Sequence, residues 1–371
     1  MQNLLYQKYK PFIELKHLKR SGWLSWVDES VRTESVAAHT SGCCLLAFAM
    51  LANRKELGLN LFKAIRMLNL HEVGELAVGD ITPFGSDKER QYKKQEPKKA
   101  LVLLGKIKNS GTLKALYNEY CKNTTPLAKF CNDVDKIECV WQSKAYTKRN
   151  IAISYNDFFK NFGYTIEGLV PDQYQDCFDA HYNYWKKRIS NPLLVDLSKE
   201  EKNFYKLVNK LKELPRTGWK MKNVANYEMV ADHVYGTIML AEIVNCELGL
   251  KLNMEKVCTI LAMHELAETI VGDITPLDKQ YSGKYYIEAK IYTAISKWFN
   301  SGDFVEAIWK EFEARSTPEG DFARTIDKLE TVFMAKYYTE NKLGDDDTLR
   351  EFLSSYIRCV PEKDWTLVRD L

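Results

Sequence analysis

The sequence lacks the features that mark secreted, membrane-spanning and polyanion-binding proteins. Its nine cysteines are scattered and odd in number, with no Cys-x-x-Cys pair, which favours reduced thiols over a disulfide framework. No apolar run reaches the roughly 18 residues of a membrane span, and the first residues do not resemble a signal peptide. A net charge of +3 is too small to indicate a nucleic-acid partner. These absences predict a cytoplasmic protein that binds neither membrane nor nucleic acid.

Strand patterns are scarce too, whereas apolar residues at helical spacing are frequent. Two long stretches have the uncharged faces that are typical of buried helices, and a further helix is predicted after each of them: 35–54, 61–78, 229–248 and 254–271. Gly79 and Gly272 are natural stop residues for the second helix of each pair, and a proline follows each glycine. The sequence therefore predicts an all-α protein.

A thirteen-residue segment occurs twice. The copies, His71 to Pro83 and His264 to Pro276, share nine residues. The spacing of the flanking matches is nearly constant, because a histidine precedes each copy by 32 or 31 residues and an Asp-Lys-x-Glu follows by 64 or 63. A chain of 371 residues suits two domains, each with its own core. We predict an N-terminal domain (1–195) and a C-terminal domain (196–371), divided after a proline-containing segment.

The repeated residues are of types that bind metals or transfer protons. In the C-terminal half, His264 and Glu265 are adjacent, while His233 and Asp327 lie on other predicted helices. A zincin would require His-Glu-x-x-His, and the fifth residue here is Glu268, so that site type is excluded. Two imidazoles and two carboxylates form a mixed site that suits Mn²⁺, Co²⁺, Fe²⁺ or Zn²⁺. The acidic residues that remain for proton transfer or water positioning are Glu268 and Asp273.

This pattern resembles the HD superfamily of metal-dependent phosphohydrolases, whose signature is a lone histidine, a His-Asp pair and a distant aspartate on a helical bundle. Both halves are most similar to the YfbR-type 5′-deoxynucleotidase branch, through segments such as Arg216-Thr-Gly-Trp219 and the repeated Gly-Asp-Ile-Thr-Pro. The resemblance implies two tandem HD-domain bundles that form a pseudo-dimer.

The resemblance also implies roles for individual residues. One divalent ion in each active half would be held by the sets His39, His71, Glu72, Asp135 and His233, His264, Glu265, Asp327. The positions that match catalytic acids are Glu75, Asp80, Glu268 and Asp273. Trp23 and Trp219 match a tryptophan that shapes the sugar pocket, and Arg20 and Arg216 stand near the family's basic substrate-binding position.

Both halves depart from the family pattern. The His-Asp pair is His-Glu in each copy, which lengthens the ligand side chain by one methylene. Asp232 of the second half corresponds to Ala38, and Arg32 of the first half corresponds to Asn226. The half that keeps Asp232 is expected to be the more active one. The lysine-rich segment 93–99 is expected to be a solvated helix start.

The expected activity is removal of phosphate from nucleoside or deoxynucleoside 5′-monophosphates. One alternative is hydrolysis of a nucleoside triphosphate or an alarmone. Another is a non-catalytic nucleotide sensor or scaffold in which one or both sites are degenerate. The expected partner is a small-molecule nucleotide, and the chain is expected to be a monomeric pseudo-dimer or a homodimer.

Overall fold

The structure is a computed structural model that describes residues 3–21, 32–81, 86–147, 186–275, 283–300, 302–345, 347–369 and 371. Within these ranges the chain forms helices and no strand, and its two β-bridges are isolated ones. The prediction of an all-α protein is confirmed. The α-helices of the N-terminal half are α1 (Leu4–His17), α2 (Val36–Asn53), α3 (Leu61–Leu70), α4 (Glu75–Val78), α5 (Asp87–Lys93), α6 (Glu96–Leu104), α7 (Gly111–Lys122) and α8 (Pro126–Thr147).

The C-terminal half repeats the main helices of this series and differs in the shorter ones. Its α-helices are α9 (Lys199–Leu211), α10 (Thr217–Met221), α11 (Val230–Leu248), α12 (Met254–Met263), α13 (Glu268–Val271), α14 (Lys284–Ser296), α15 (Gly302–Ala314), α16 (Pro318–Glu340) and α17 (Thr348–Cys359). Short 3₁₀ segments lie at Lys55–Leu57, Pro192–Leu194 and Glu362–Val368. By repeat position, α1 corresponds to α9, α2 to α11, α3 to α12 and α8 to α16.

The predicted helices 61–78 and 254–271 are each broken at the His-Glu pair. α3 ends at Leu70, and tight backbone hydrogen bonds to the third preceding residue carry the chain into α4, including Glu75 N–H to Glu72 O at 3.0 Å. The same break separates α12 from α13. The glycine stops are confirmed, since Gly79 and Gly272 have φ of +81° and +85°, which disfavour other residues. The break places the histidine and the glutamate on a turn facing the interior.

The two longest apolar helices, α2 and α11, lie at the centre and pack against each other. α2 also contacts α3 and α8, while α11 contacts α12 and α16. Among the described helices, α2 alone is long and apolar enough to cross a membrane, although 94% of it is buried inside the structure. Burial of this kind is typical of a core helix, so α2 is weak evidence for a membrane span.

The first helix of each half packs mainly on the other half. α1 lies against α11 of the C-terminal half, and α9 lies against α2 of the N-terminal half. A single cluster of buried apolar side chains runs through both halves. Two repeats therefore share one core through exchanged helices, while the boundary at 195/196 and the pseudo-dimer stay predictions.

A buried ion pair joins the halves within this core. Arg66 on α3 donates two hydrogen bonds, of 2.6 and 3.0 Å, to the carboxylate of Glu242 on α11, and the Glu242 residue is 2% exposed. We expect Arg66→Met to lower the free energy of urea unfolding by about 3–5 kcal/mol, because it leaves an uncompensated buried carboxylate. The double change Arg66→Met with Glu242→Met should recover most of that loss. An unfolding midpoint unchanged in the single variant would contradict this account.

Candidate metal centres and their pocket

The four predicted C-terminal ligands meet at one point. One ligand atom from each of His233, His264, Glu265 and Asp327 lies within 4.8 Å of the others, and all four residues are buried. The His233 Nε2 atom is 3.1 Å from Asp327 Oδ1 and 3.6 Å from Glu265 Oε1. Ligand atoms bound at about 2.0–2.2 Å to one ion lie roughly 3–3.5 Å apart, so the cluster is close to metal-binding dimensions. The longer Glu265 side chain reaches the position that aspartate occupies in the family signature.

The N-terminal set is similar but not identical, because the ligand atoms within 4.8 Å of one another are those of His39, Cys43, His71 and Asp135, and Glu72 lies outside this group. His39 Nε2 lies 3.1 Å from Asp135 Oδ1, and Glu72 Oε1 lies 3.8 and 3.6 Å from the Nε2 atoms of His39 and His71. The thiol of Cys43 is an additional neighbour, 3.5 Å from His39 Nε2. Burial raises the pKa of that thiol well above its usual value, and Cys43 lies beside the predicted ligands His39, His71, Glu72 and Asp135.

Hydrogen bonds orient the imidazoles of the His-Glu pairs. The Nδ1–H groups of His71 and His264 donate to the carbonyl oxygens of Leu68 and Leu261, at 2.6 and 2.7 Å. Their Nε2 atoms are buried and have no hydrogen-bond partner among the described residues. An imidazole with a donated Nδ1–H and a free Nε2 lone pair, directed at carboxylates, fits a divalent ion.

The imidazole of the remaining histidine of each centre contacts a glutamate for which the sequence analysis predicted no role. His233 Nδ1 is 2.6 Å from Glu330 Oε2, and His39 Nδ1 is 2.5 Å from Glu138 Oε2. Burial opposes the charged carboxylates, but nearby Lys16 and His233 lower the pKa of Glu330 to about 2, and Lys212 and His39 do the same for Glu138. These glutamates are carboxylate acceptors that fix the histidine rings. The sequence does contain a sign of this role, because Glu138 and Glu330 are the last residues of the two Asp-Lys-x-Glu copies.

Glu268 and Glu75, predicted as catalytic acids, lie next to these centres and are 2% exposed. Burial first, and then the neighbouring Glu265 or Glu72, raise their pKa values well above the usual range. One oxygen of each pairs with a lysine: Glu268 with Lys284 at 2.9 Å and Glu75 with Lys93 at 2.7 Å. The other oxygen has no partner in the described structure. Lys93 was expected to be a solvated residue; the pairing with buried Glu75 corrects that expectation.

Asp273 and Asp80, the other predicted acids, each accept a hydrogen bond from a backbone N–H group far away along the chain. The backbone N–H of Thr217 donates to Asp273, and that of Ser21 donates to Asp80. Arg216 lies between Asp273, at 3.7 Å, and the ligand Glu265, at 3.0 Å. Arg20 bridges Asp80 and Glu72 at 3.7 and 2.9 Å. The predicted substrate-binding arginines thus lie directly beside both centres.

A cavity of about 290 Å³ opens onto the C-terminal centre. Its wall includes Arg216, His264, Glu268 and Asp273 together with side chains of α17. The size is close to the lower end of the roughly 300–1,000 Å³ of small-molecule pockets. Trp219 also lines it, but this residue is 1% exposed and its indole N–H donates to Glu228 at 3.0 Å. Trp219 can therefore offer a ligand only a limited ring surface, and its counterpart Trp23 lies outside the described residues.

Comparison with known proteins agrees with this geometry. A sequence model of the HD domain family matches residues 12–170 and 208–357. The chain belongs to the HD domain family. The zebrafish 5′-deoxynucleotidase HDDC2 is 35% identical over 155 residues, which cover 41% of this chain and 76% of that protein. The *Saccharomyces cerevisiae* 5′-deoxynucleotidase YGK1 is 26% identical and covers 50% of this chain and 91% of its own length.

A conserved hypothetical protein from Pyrococcus furiosus is among the matching solved structures. It is 26% identical, covers 44% of this chain and 92% of that chain, and has a TM-score of 0.37. The family match on both segments agrees with the internal repeat. The chain is thus an HD domain protein related to 5′-deoxynucleotidases, and HD domains bind divalent metals.

Two departures from the HD pattern lie away from the centres. Asp232 accepts a hydrogen bond of 2.7 Å from the Met229 N–H at the start of α11, and its other oxygen accepts from Ser35 of the N-terminal half. Arg32 is exposed, contacts the Tyr227 carbonyl and lies 5.2 Å from the Tyr227 ring. Both residues join the halves. Asp232 therefore gives no support to the expectation that the C-terminal half is more active, and the other basis of that expectation is the Arg216-Thr-Gly-Trp219 segment.

A different contrast distinguishes the two HD centres. In the C-terminal half, Lys328 Nζ is 2.9 Å from Asp327, and Arg324 lies 3.7 Å from Asp327 and over the ring of Phe312. At the position matching Arg324, the N-terminal half has Asn132, whose amide donates to backbone carbonyls. The C-terminal centre therefore carries an additional cation beside its pocket.

Proposed function

We propose that the C-terminal HD centre hydrolyses nucleoside or deoxynucleoside 5′-monophosphates with a divalent transition metal, Mn²⁺, Co²⁺, Fe²⁺ or Zn²⁺. The observation that carries this proposal is the buried cluster of two imidazoles and two carboxylates at the floor of a cavity whose lining has four cationic side chains among six carboxylates. Relatives of this chain are named 5′-deoxynucleotidases, which supports a phosphate monoester as the substrate. The N-terminal centre has the same ligand set, and we propose that it also binds one ion.

Cationic side chains around the cavity suit a phosphate. Arg216, Lys284, Arg324 and Lys328 all line it. An arginine guanidinium offers paired donors to phosphate oxygens, and a lysine offers a compact positive charge. The sequence alone did not show that these four cationic side chains lie around one cavity. A monoester dianion held by these groups would place its phosphorus beside the metal ligands.

The acidic residues divide the proton transfers in this proposal. Hydrolysis forms a bond from water oxygen to phosphorus and breaks the bond to the 5′-oxygen, which leaves with a proton. A bound divalent ion supplies a polarised phosphate and a water of lowered pKa. Asp273, fixed by Thr217 and Arg216, is placed to orient the water or to protonate the leaving oxygen. Glu268, whose pKa is raised by burial, tunes this network through its unpartnered oxygen.

The added cations also give weight to the triphosphate alternative. Arg324 and Lys328 supply positive charge beyond what a single phosphate requires. Substrate choice then depends on whether the cavity accommodates a longer phosphate chain. The non-catalytic alternative requires binding without turnover. One set of assays separates all three functions.

The test is phosphate release by the full chain, stripped of metal and then supplied with each of the four ions. We expect release from 5′-monophosphates, with loss in excess chelator and recovery when metal is restored. The matched control is the 3′-monophosphate of the same nucleoside, which should react much more slowly. Faster turnover of triphosphates would favour the second function. Nucleotide binding without turnover under every metal would favour the sensor.

A further inference from the structure

Each centre depends on a buried glutamate whose charge must be balanced. Glu330, which supports His233, and Glu138, which supports His39, have fully buried side chains. A buried carboxylate is strongly disfavoured without a cation or several hydrogen-bond donors. The source of the balancing charge therefore decides whether the histidine is held in place.

The balancing lysine comes from the other half in both cases. Lys16, on the exchanged helix α1, pairs with Glu330 and lies 2.6 Å from Glu228, and all three side chains are fully buried. Lys212, directly after the exchanged helix α9, pairs with Glu138 and lies 2.5 Å from Glu34.

A tyrosine accompanies each lysine across the interface. Tyr9 donates to Glu330 at 2.8 Å, and Tyr205 donates to Glu138 at 2.6 Å. The two tyrosines precede their lysines by the same seven residues. In both places a lysine and a tyrosine from one half contact a buried glutamate of the other half, and Lys212 also donates to Gln142 at 2.9 Å.

Glycines provide the space that these lysines occupy. A Cβ atom on Gly236 of α11 would lie 2.6 Å from Lys16 Cε, and one on Gly42 of α2 would lie 2.9 Å from Lys212 Cε. Such distances are shorter than real Cβ contacts. Gly42 and Gly236 occupy matching positions of the repeat, so each central helix is shaped to receive the lysine of the opposite half.

We infer that Lys16 and Lys212 are positioning residues that act across the halves, each holding the metal-binding histidine of the opposite centre through Glu330 or Glu138. The inference rests on the proposed metal sites. A carboxylate that accepts the Nδ1–H of a ligating histidine fixes its orientation, and loss of such support lowers metal affinity by about 10–100-fold. Each centre thus takes its ligands from one half and its support from the other.

The test measures metal affinity in full chains that keep one centre. His71→Ala leaves the C-terminal centre, and His264→Ala leaves the N-terminal centre. In the His71→Ala chain, Lys16→Met should weaken Mn²⁺ or Zn²⁺ binding by about 10–100-fold, measured by competition with a chelator, while Lys212→Met should change it less than about threefold. In the His264→Ala chain the two lysine changes should exchange their effects.

A second variant addresses folding. Lys16→Met with Glu228→Gln removes one positive and one negative charge together, so the buried cluster keeps its net charge, and circular dichroism verifies the fold. Glu330 still loses its lysine, and the same loss of affinity at the C-terminal centre is expected. Unchanged affinity in this folded variant would overturn the inference.

The remaining outcomes are also decisive. Equal weakening of both centres by either lysine change would indicate a general structural role and overturn the inference. An effect confined to the lysine's own half would overturn it as well. Failure of both single-centre chains to bind any metal would refute the proposed metal sites themselves, which is a separate result.

Discussion

His264→Ala should empty the C-terminal centre of metal and leave the N-terminal centre filled, halving the metal content of the reconstituted chain. The reason is that the four ligands of each centre come from one half, and His264 presents a buried Nε2 atom with no other partner. Loss of an ion that neutralises phosphate charge should also lower the turnover of this half by about a thousandfold or more. Elemental analysis after reconstitution and desalting measures the metal.

Two matched variants control this experiment. His71→Ala should empty only the N-terminal centre. His17→Ala removes a half-buried histidine that stacks on Tyr337, with ring centroids 5.3 Å apart, outside both centres, and should leave both ions in place. Metal loss from both centres in His264→Ala, or from neither, would show that the ligand sets are not independent.

Asp273→Asn should lower turnover of the best nucleotide by about 10²–10⁴-fold, the usual contribution of a positioned acid or base. An asparagine can still accept the Thr217 N–H, so the loop geometry should survive while proton transfer is lost. Asp80→Asn is the matched change in the N-terminal half. Steady-state phosphate release compares the two variants, and metal analysis verifies that both centres stay filled.

The comparison assigns the division of labour. We expect the larger loss from Asp273→Asn, because Arg324, which has Asn132 at its matching N-terminal position, gives the C-terminal cavity one more cation for a phosphate. A larger loss from Asp80→Asn would place the main activity in the N-terminal half. No loss from either change would contradict catalysis by these aspartates and favour the sensor function.

The ligand sets show why a site can be predicted from a repeat. A single buried histidine such as His39 carries little information, since most such residues only pack in a core. Two copies of the same His, His-Glu and Asp at nearly constant spacing need a common explanation. Binding of one ion by four side chains in each copy is such an explanation. The structure brings these residues together in both halves, whereas the metal itself stays a prediction.

Local patterns gave poorer guidance where a contact joins different helices. Asp232 and Arg32 are positions at which one copy departs from the family pattern, and in the structure both connect the halves. Lys93 looked like a solvated residue because its neighbours are charged, yet it pairs with buried Glu75. Charge and spacing along a helix do not show which surface that helix covers.

The sequence by itself determined the all-helical class, the duplication and the candidate ligand residues, because helical periodicity and repeated spacing are local properties of a chain. Only the tertiary structure decided which centre each lysine supports. Lys16 could pair with Glu138 or with Glu330, since the two glutamates occupy the same position of the repeat. The packing of α1 on α11 selects Glu330, 314 residues away, and that choice depends on how the two halves bury their shared core.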